Sequence, residues 1–129
     1  MAHWHGISRR KSSGGRLKRP SSYRGKRRTE IASEKQFTMI GEESRKNYRK
    51  RAGSQTVRVL FDTVVNVADK KTGKVMQATL SSVSENAADP NFVRRNIMTK
   101  GAVVETDKGL VRITSRPGSH GVINGVLLE

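Results

Sequence analysis

Ten lysine and arginine side chains crowd into the stretch Ser8–Arg28: Arg9, Arg10, Lys11, Arg16, Lys18, Arg19, Arg24, Lys26, Arg27 and Arg28. No Asp or Glu interrupts them, and Leu17 is the one aliphatic residue. The chemistry open to such a set is the capture of phosphate oxygens. Seven of the ten are Arg, whose planar guanidinium grips two oxygens at once where Lys offers a point charge. Gly14-Gly15 carries no side chain to hold the main chain away from a partner. The stretch has too little apolar surface to offset the entropy of ordering it. It is therefore expected to lack order of its own until a polyanion supplies the opposing charge.

A second cationic set, Arg45, Lys46, Arg49, Lys50 and Arg51 around Tyr48, is expected to face the same partner. Arg94, Arg95, Lys100 and Arg116 add cations further along. Trp4 stands between His3 and His5. Two imidazoles so close allow a metal reading, but His120 is distant and sites of this kind normally recruit more ligands. Trp4 is better read as stacking on a base or packing against the partner. His120 has the right chemistry for a general base, yet it lies in a turn and reads as facing solvent or RNA. Glu105 and Asp107 flank a hairpin turn, where solvated carboxylates are ordinary. Gly118, Gly121 and Gly125 are misplaced for a phosphate loop and read as turn and close-packing glycines. There is no Walker loop, dinucleotide fingerprint or nucleophile elbow. Cysteine is absent, which removes thiolate and disulfide chemistry. The sequence thus predicts no enzyme, cofactor, metal or small-molecule substrate.

The charge balance narrows the polyanion. The chain of 129 residues carries a formal net charge of +15. Residues 1–55 hold 16 Lys and Arg against 4 Glu, and residues 56–129 hold 10 against 7 acids, so +12 and +3. A basic arm on a nearly neutral body is the pattern of a nucleic-acid binder. No apolar run approaches the roughly 18 residues of a membrane span, and no apolar leader is expected, so the protein reads as intracellular and not membrane-bound. One Trp, two Tyr and three Phe are too few for a sheet that stacks successive bases. Arginine-rich and aromatic-poor composition suits phosphate and shape recognition of folded RNA. No zinc finger, basic zipper or helix-turn-helix pattern points to DNA.

These side chains need elements to hold them. Phe37–Gly41 reads as a short strand. Glu42–Arg51 is open: Glu42 and Glu43 precede Arg45 and Lys46 at helical pair spacing, yet the segment has almost no apolar face. Ala52–Gln55 is a turn. Thr56–Ala68 alternates, with Val57, Val59, Phe61, Val65 and Val67 on one face and Arg58, Asp62 and Asn66 on the other, which predicts a strand long enough to bend. Asp69–Gly73 turns into a second strand, Lys74–Val83, with Met76, Ala78 and Leu80 inward. Asp89-Pro90 opens a short helix through about Arg95, whose Phe92 and Val93 plug one end of a sheet. Strands follow at Ala102–Thr106, Leu110–Ser115 and Val122–Leu128, with turns at Asp107–Gly109 and Arg116–Gly121. Strands so short and close-set predict a mainly β protein. Its body is a small antiparallel barrel of about six strands with one short helix, which removes exposed edges. A basic extension, 1–35, precedes this barrel body, 36–129.

Several ordered runs carry a family resemblance. They are R-R-K-S-S-G-G-R-L at Arg9–Leu17, F-T-M-I-G-E-E at Phe37–Glu43, V-N-V-A-D-K-K-T-G-K-V at Val65–Val75, and N-F-V-R-R-N-I-M-T-K-G-A-V-V-E-T at Asn91–Thr106. V-R-I-T-S-R-P-G and G-V-I-N-G-V-L-L-E complete the chain. Together they resemble the "S-eight-e" small-subunit ribosomal proteins of archaea and eukaryotes, in the short archaeal form, over essentially the whole chain. Two positions depart from the family: Ala32 stands where a glycine is usual, and R-A-G-S-Q at Arg51–Gln55 replaces a tendency to R-G-G-N. The resemblance implies a β-barrel with a long extension docked on small-subunit ribosomal RNA, beside neighbouring ribosomal proteins, in the cytoplasm. It also implies strand-like structure around Arg45–Arg51.

Overall fold

A computed structural model describes residues 3–17 and 25–128. They fall into two compact units, Met1–Lys35 and Gln36–Glu129.

In the first unit, β1 (His3–Trp4) pairs antiparallel with β2 (Ile31–Ala32). A single 3-10 turn, Arg28–Glu30, leads into β2. The Arg27 amide donates to the Glu30 carboxylate at 3.1 Å. Residues 9–17 were expected to be without order, but their backbone closes a small hairpin. Arg10 and Arg16 form an antiparallel bridge, Leu17 N–H donates to Arg9 O at 2.9 Å and Lys11 N–H to Gly15 O at 2.8 Å. Ser12-Ser13-Gly14 supplies the tight turn, and Gly14 takes the positive φ of 83° that its missing Cβ permits. Main-chain bonds thus provide what an apolar core cannot, while every side chain from Lys11 to Leu17 stays exposed.

The second unit is β-structure throughout its frame. Beside β3 (Thr38–Ile40) and β4 (Ser44–Arg49) come β5 (Gln55–Asp62), β6 (Val64–Ala68) and β7 (Val75–Glu85). Helix α1 (Pro90–Arg94) is followed by β8 (Ile97–Met98), β9 (Val103–Thr106), β10 (Gly109–Ile113), α2 (Pro117–His120) and β11 (Asn124–Leu127). Five strands close a barrel in the order β10-β11-β6-β7-β9. Four of its pairings are antiparallel, and β11 against β6 is parallel. The other four form a sheet in the order β4-β5-β3-β8.

Small branched side chains fill so narrow a ring. Val65, Val67, Val104, Val111 and Ile113 are at most 1% exposed, and Val59 and Met98 from the flanking sheet share the same core. Register shifts along β7, between Leu80 and Ser82 and between Val83 and Glu85, add the curvature that closure requires. Gly121, at φ 74°, ends α2 in the left-handed conformation, and Gly125 lets β11 lie close against β10.

The expected Thr56–Ala68 strand bends at Thr63 and serves two sheets, β5 in one and β6 in the barrel. That bend corrects the reading of Asp62, expected outward but only 5% exposed. Its carboxylate accepts from Val64 N–H at 2.9 Å and holds the corner. Glu42–Arg51 resolves in favour of the strand, β4, because antiparallel pairing with β5 supplies the backbone partners. Arg116–Gly121, read as a turn, contains one helical turn, α2, with Pro117 at its start. Helix α1 begins as the sequence indicates: the Asp89 side chain accepts from Asn91 N–H at 2.9 Å, followed by Pro90.

Candidate nucleic-acid interface

The β4–β5 ladder sets the geometry. Lys46 stands opposite Arg58 and Tyr48 opposite Thr56, so Lys46, Tyr48 and Arg58 share one face of the sheet. The Arg58 guanidinium lies 4.9 Å from the Tyr48 ring centroid, and the Lys46 ammonium 5.4 Å. Both are cation–π distances. The Tyr48 hydroxyl donates to Gln36 Oε1 at 2.6 Å, and Arg58 Nη1 donates to the same oxygen at 3.4 Å. Arg58 is therefore held by an aromatic ring and a neutral amide. Among the described residues it has no carboxylate partner, so its charge remains available to an incoming anion.

Arg58 also joins two adjacent hollows. One, of about 440 Å3, is lined by Gln36, Phe37 and Thr38 from the start of β3, Met98–Lys100 after β8, and Arg116–Ser119 around α2, with Ala88 at its edge. The other, of about 310 Å3, is lined by Tyr48, Lys50, Thr56, Arg58, Gly118 and Ser119. Both share Arg58, Gly118 and Ser119, and among the described residues no carboxylate lines either. Lys50, Arg58, Lys100 and Arg116 thus border one acid-free groove. The Arg95 guanidinium lies 5.6 Å from the ring centroid of Phe37, which lines the larger hollow. Phe37 in turn packs against Phe92 at 5.2 Å, while Val93 packs on the core.

Within the second unit, other predicted cations stand apart from this groove. Strand alternation puts Arg45 and Arg49 on the opposite face of β4. Arg45 is engaged by Glu43 at 2.9 Å and buried Asp62 at 3.5 Å, so part of its charge is spent within the fold. Arg49 donates to Lys50 O at 3.5 Å. Arg51 is exposed in the 3-10 turn Arg51–Gly53. Arg94 is exposed in the last turn of α1.

In the first unit Arg9, Arg10, Lys11, Arg16, Lys26, Arg27 and Arg28 are all exposed. Lys18, Arg19 and Arg24 lie outside the described residues. Trp4 is occupied locally: its indole N–H donates to Ile7 O at 3.2 Å, the Arg9 guanidinium sits 5.7 Å from its ring, and its ring packs on Gly6. At 40% exposure it still presents part of the indole.

Sequence reasoning missed Arg58, which it assigned only to the polar face of a strand. The signal was its place among alternating Val residues opposite a cationic segment, but choosing Lys46 as its neighbour required the register. The residues weighed for catalysis have structural duties. His120 Nδ1 accepts Arg116 N–H at 3.2 Å and closes its own helical turn. Glu105 accepts from the Ser82 hydroxyl at 2.7 Å, and Asp107 from Thr79 N–H at 3.0 Å. No helix among the described residues is long and apolar enough to cross a membrane.

Comparison with known proteins places the chain. A sequence model of the family described as "Ribosomal protein S8e" matches residues 4–128. The small ribosomal subunit protein eS8 of Methanocorpusculum labreanum is 50% identical over 126 residues, covering 98% of this chain and 98% of that protein. Proteins of the same name in Methanospirillum hungatei and Methanosphaerula palustris are 49% and 48% identical over the same shares. The match takes in the hairpin of residues 9–17, the β3–β5 face and the barrel alike, and the chain belongs to the ribosomal protein S8e family.

Proposed function

We propose that this protein is a structural, non-catalytic component of the small ribosomal subunit. It acts in translation in the cytoplasm by binding and stabilising folded ribosomal RNA through phosphate contacts, beside neighbouring ribosomal proteins. Its relatives are named small ribosomal subunit protein, which supports the assembly. The observation that carries the RNA-binding part is the acid-free groove around Arg58, with Lys50, Lys100 and Arg116 on its borders. A cation fixed without a carboxylate favours an external anion, because the charge is already positioned and unspent. The exposed cations of the first unit, together with Lys18, Arg19 and Arg24, extend that capacity as the arm that neutralises crowded phosphates.

Salt dependence tests the reading. If about eight phosphates are neutralised, the slope of log K against log salt is roughly −6. A slope near −1 would defeat the multi-phosphate interface. Sedimentation decides the setting: the protein stays with small subunits through a moderate salt wash. Release into the light fractions would instead indicate a free-standing nucleic-acid chaperone.

A further inference from the structure

We propose that the cleft beside Arg58 receives a single unpaired nucleotide swung out of an RNA helix. Its phosphate lies on the cations at the mouth, and its base lies against the apolar wall. This rests on the RNA-binding reading above and adds which RNA feature the groove takes. The cleft holds about 440 Å3, within the ~300–1,000 Å3 that small-molecule sites occupy, a volume suited to one nucleotide and not to a helix. Its lining divides as a nucleotide does. Half-buried Phe37, above the buried Met98 and Pro117, supplies apolar lining, and Arg58, Lys100 and Arg116 supply cationic lining. An anionic phosphate joined to a flat, weakly polar base matches both kinds of lining, with the base against Phe37.

The hydrogen bonds at the mouth add a recognition element. Gln36 Oε1 receives both the Tyr48 hydroxyl and Arg58 Nη1, so its amide N–H2 is the end left to donate to an acceptor on a base edge. A base still in a duplex cannot enter the cleft. A bulged or looped base is the least costly to extrude, and such unpaired bases are where proteins read RNA.

The test uses the full chain and two RNA duplexes of equal length and charge, one fully paired and one carrying a single-nucleotide bulge. The readout is the ratio of their dissociation constants at physiological ionic strength. The wild type is expected to prefer the bulged RNA roughly tenfold, the scale of one buried base. Gly118 lines the cleft and a Cβ added there meets nothing within 4 Å, so Gly118→Leu is accommodated, adds bulk at the cleft wall and keeps every cation. It should bring the ratio to about one. Arg58→Ala should also lower the ratio, and thermal melts of both variants verify that they fold.

A wild type without preference overturns the proposal while leaving the RNA-binding reading intact. So does a preference that survives both substitutions, which would place the recognition elsewhere. Efficient displacement of the bulged RNA by a free nucleoside monophosphate would make the occupant a free nucleotide and also overturn it. Failure to bind either duplex with a steep salt slope is the separate outcome that removes the underlying reading.

Discussion

Val111 fills the space that any side chain at position 125 would need: a Cβ added to Gly125 would lie 2.3 Å from Val111 Cγ1 and 3.0 Å from the carbonyl oxygen of Arg112. The second contact is backbone and cannot rotate away. Gly125→Ala is therefore expected to destabilise the barrel by about 1–3 kcal/mol, the usual cost of overpacking. Chemical denaturation measures it. In a double-mutant cycle, Val111→Ala should recover part of that loss, because it vacates one of the two contacts. Simple additivity would show that the strain lies at the carbonyl alone.

Ala52 offers the opposite experiment. It sits at φ 62°, a conformation that costs an L-residue roughly 1–2 kcal/mol, and its side chain is exposed. Ala52→Gly removes the steric cost but adds freedom to the unfolded chain, roughly 0.5–1 kcal/mol in the other direction. The net expectation is a gain of about 0.5–1 kcal/mol, readable as a higher midpoint of thermal unfolding. A loss would mean that the turn relaxes in solution.

Asp69 closes the turn between β6 and β7. Its carboxylate accepts from the Thr72 hydroxyl at 2.8 Å and from Lys71 N–H at 2.8 Å. The Thr72 bond, followed by the Lys71 amide, holds its pKa below the ordinary carboxylate value. The ionised form is the one the fold favours. Its stabilisation is therefore complete above the unfolded-state pKa and disappears as pH falls through the lower, folded one. Thr72→Val should raise the Asp69 pKa and move that loss to higher pH. Following the Asp69 carboxyl carbon by NMR across an acid titration checks the direction, and an unchanged titration would assign the shift to backbone donors.

Removing residues 1–35 separates the two sets of cations. Unit Gln36–Glu129 holds the whole barrel and flanking sheet and is expected to melt cooperatively without them. Its RNA affinity should fall sharply, with a shallower salt slope, since each lost phosphate contact removes about 0.7–0.9 from the slope. Retention of the full slope would assign the multi-phosphate contact to the groove alone.

Much of the fold was legible because period-two alternation is a local signal. Val57, Val59, Val65 and Val67 announced a strand, and Asp89-Pro90 announced the start of α1. What was not legible depends on distant pairing. Asp62 follows the polar alternation of its strand, yet a corner at Thr63 turns it inward; no local pattern marks that corner. β4 has almost no apolar face of its own and becomes a strand through β5. The site divides in the same way. The cations could be counted, but their sorting could not. Arg45 goes to Glu43 and Asp62, whereas Arg58 goes to Tyr48 and Gln36, and only the register distinguishes them. The hairpin of residues 9–17 has no apolar signature to read, because the small residues Ser12–Gly15 and a few main-chain bonds hold its turn.

The parallel seam between β11 and β6 also bears on kinetics. Asn124 pairs with Asn66, and their side chains meet at 3.1 Å across 58 positions of sequence. Hairpins β6–β7 and β9–β10 join neighbours and can form early, but the seam must close a long loop, the slow kind of contact. In a chain synthesised from its N-terminus, the cationic first unit emerges well before β11. The cationic first unit is therefore on offer while two barrel edges are still unsealed, so the proposed capture of a polyanion can precede completion of the fold.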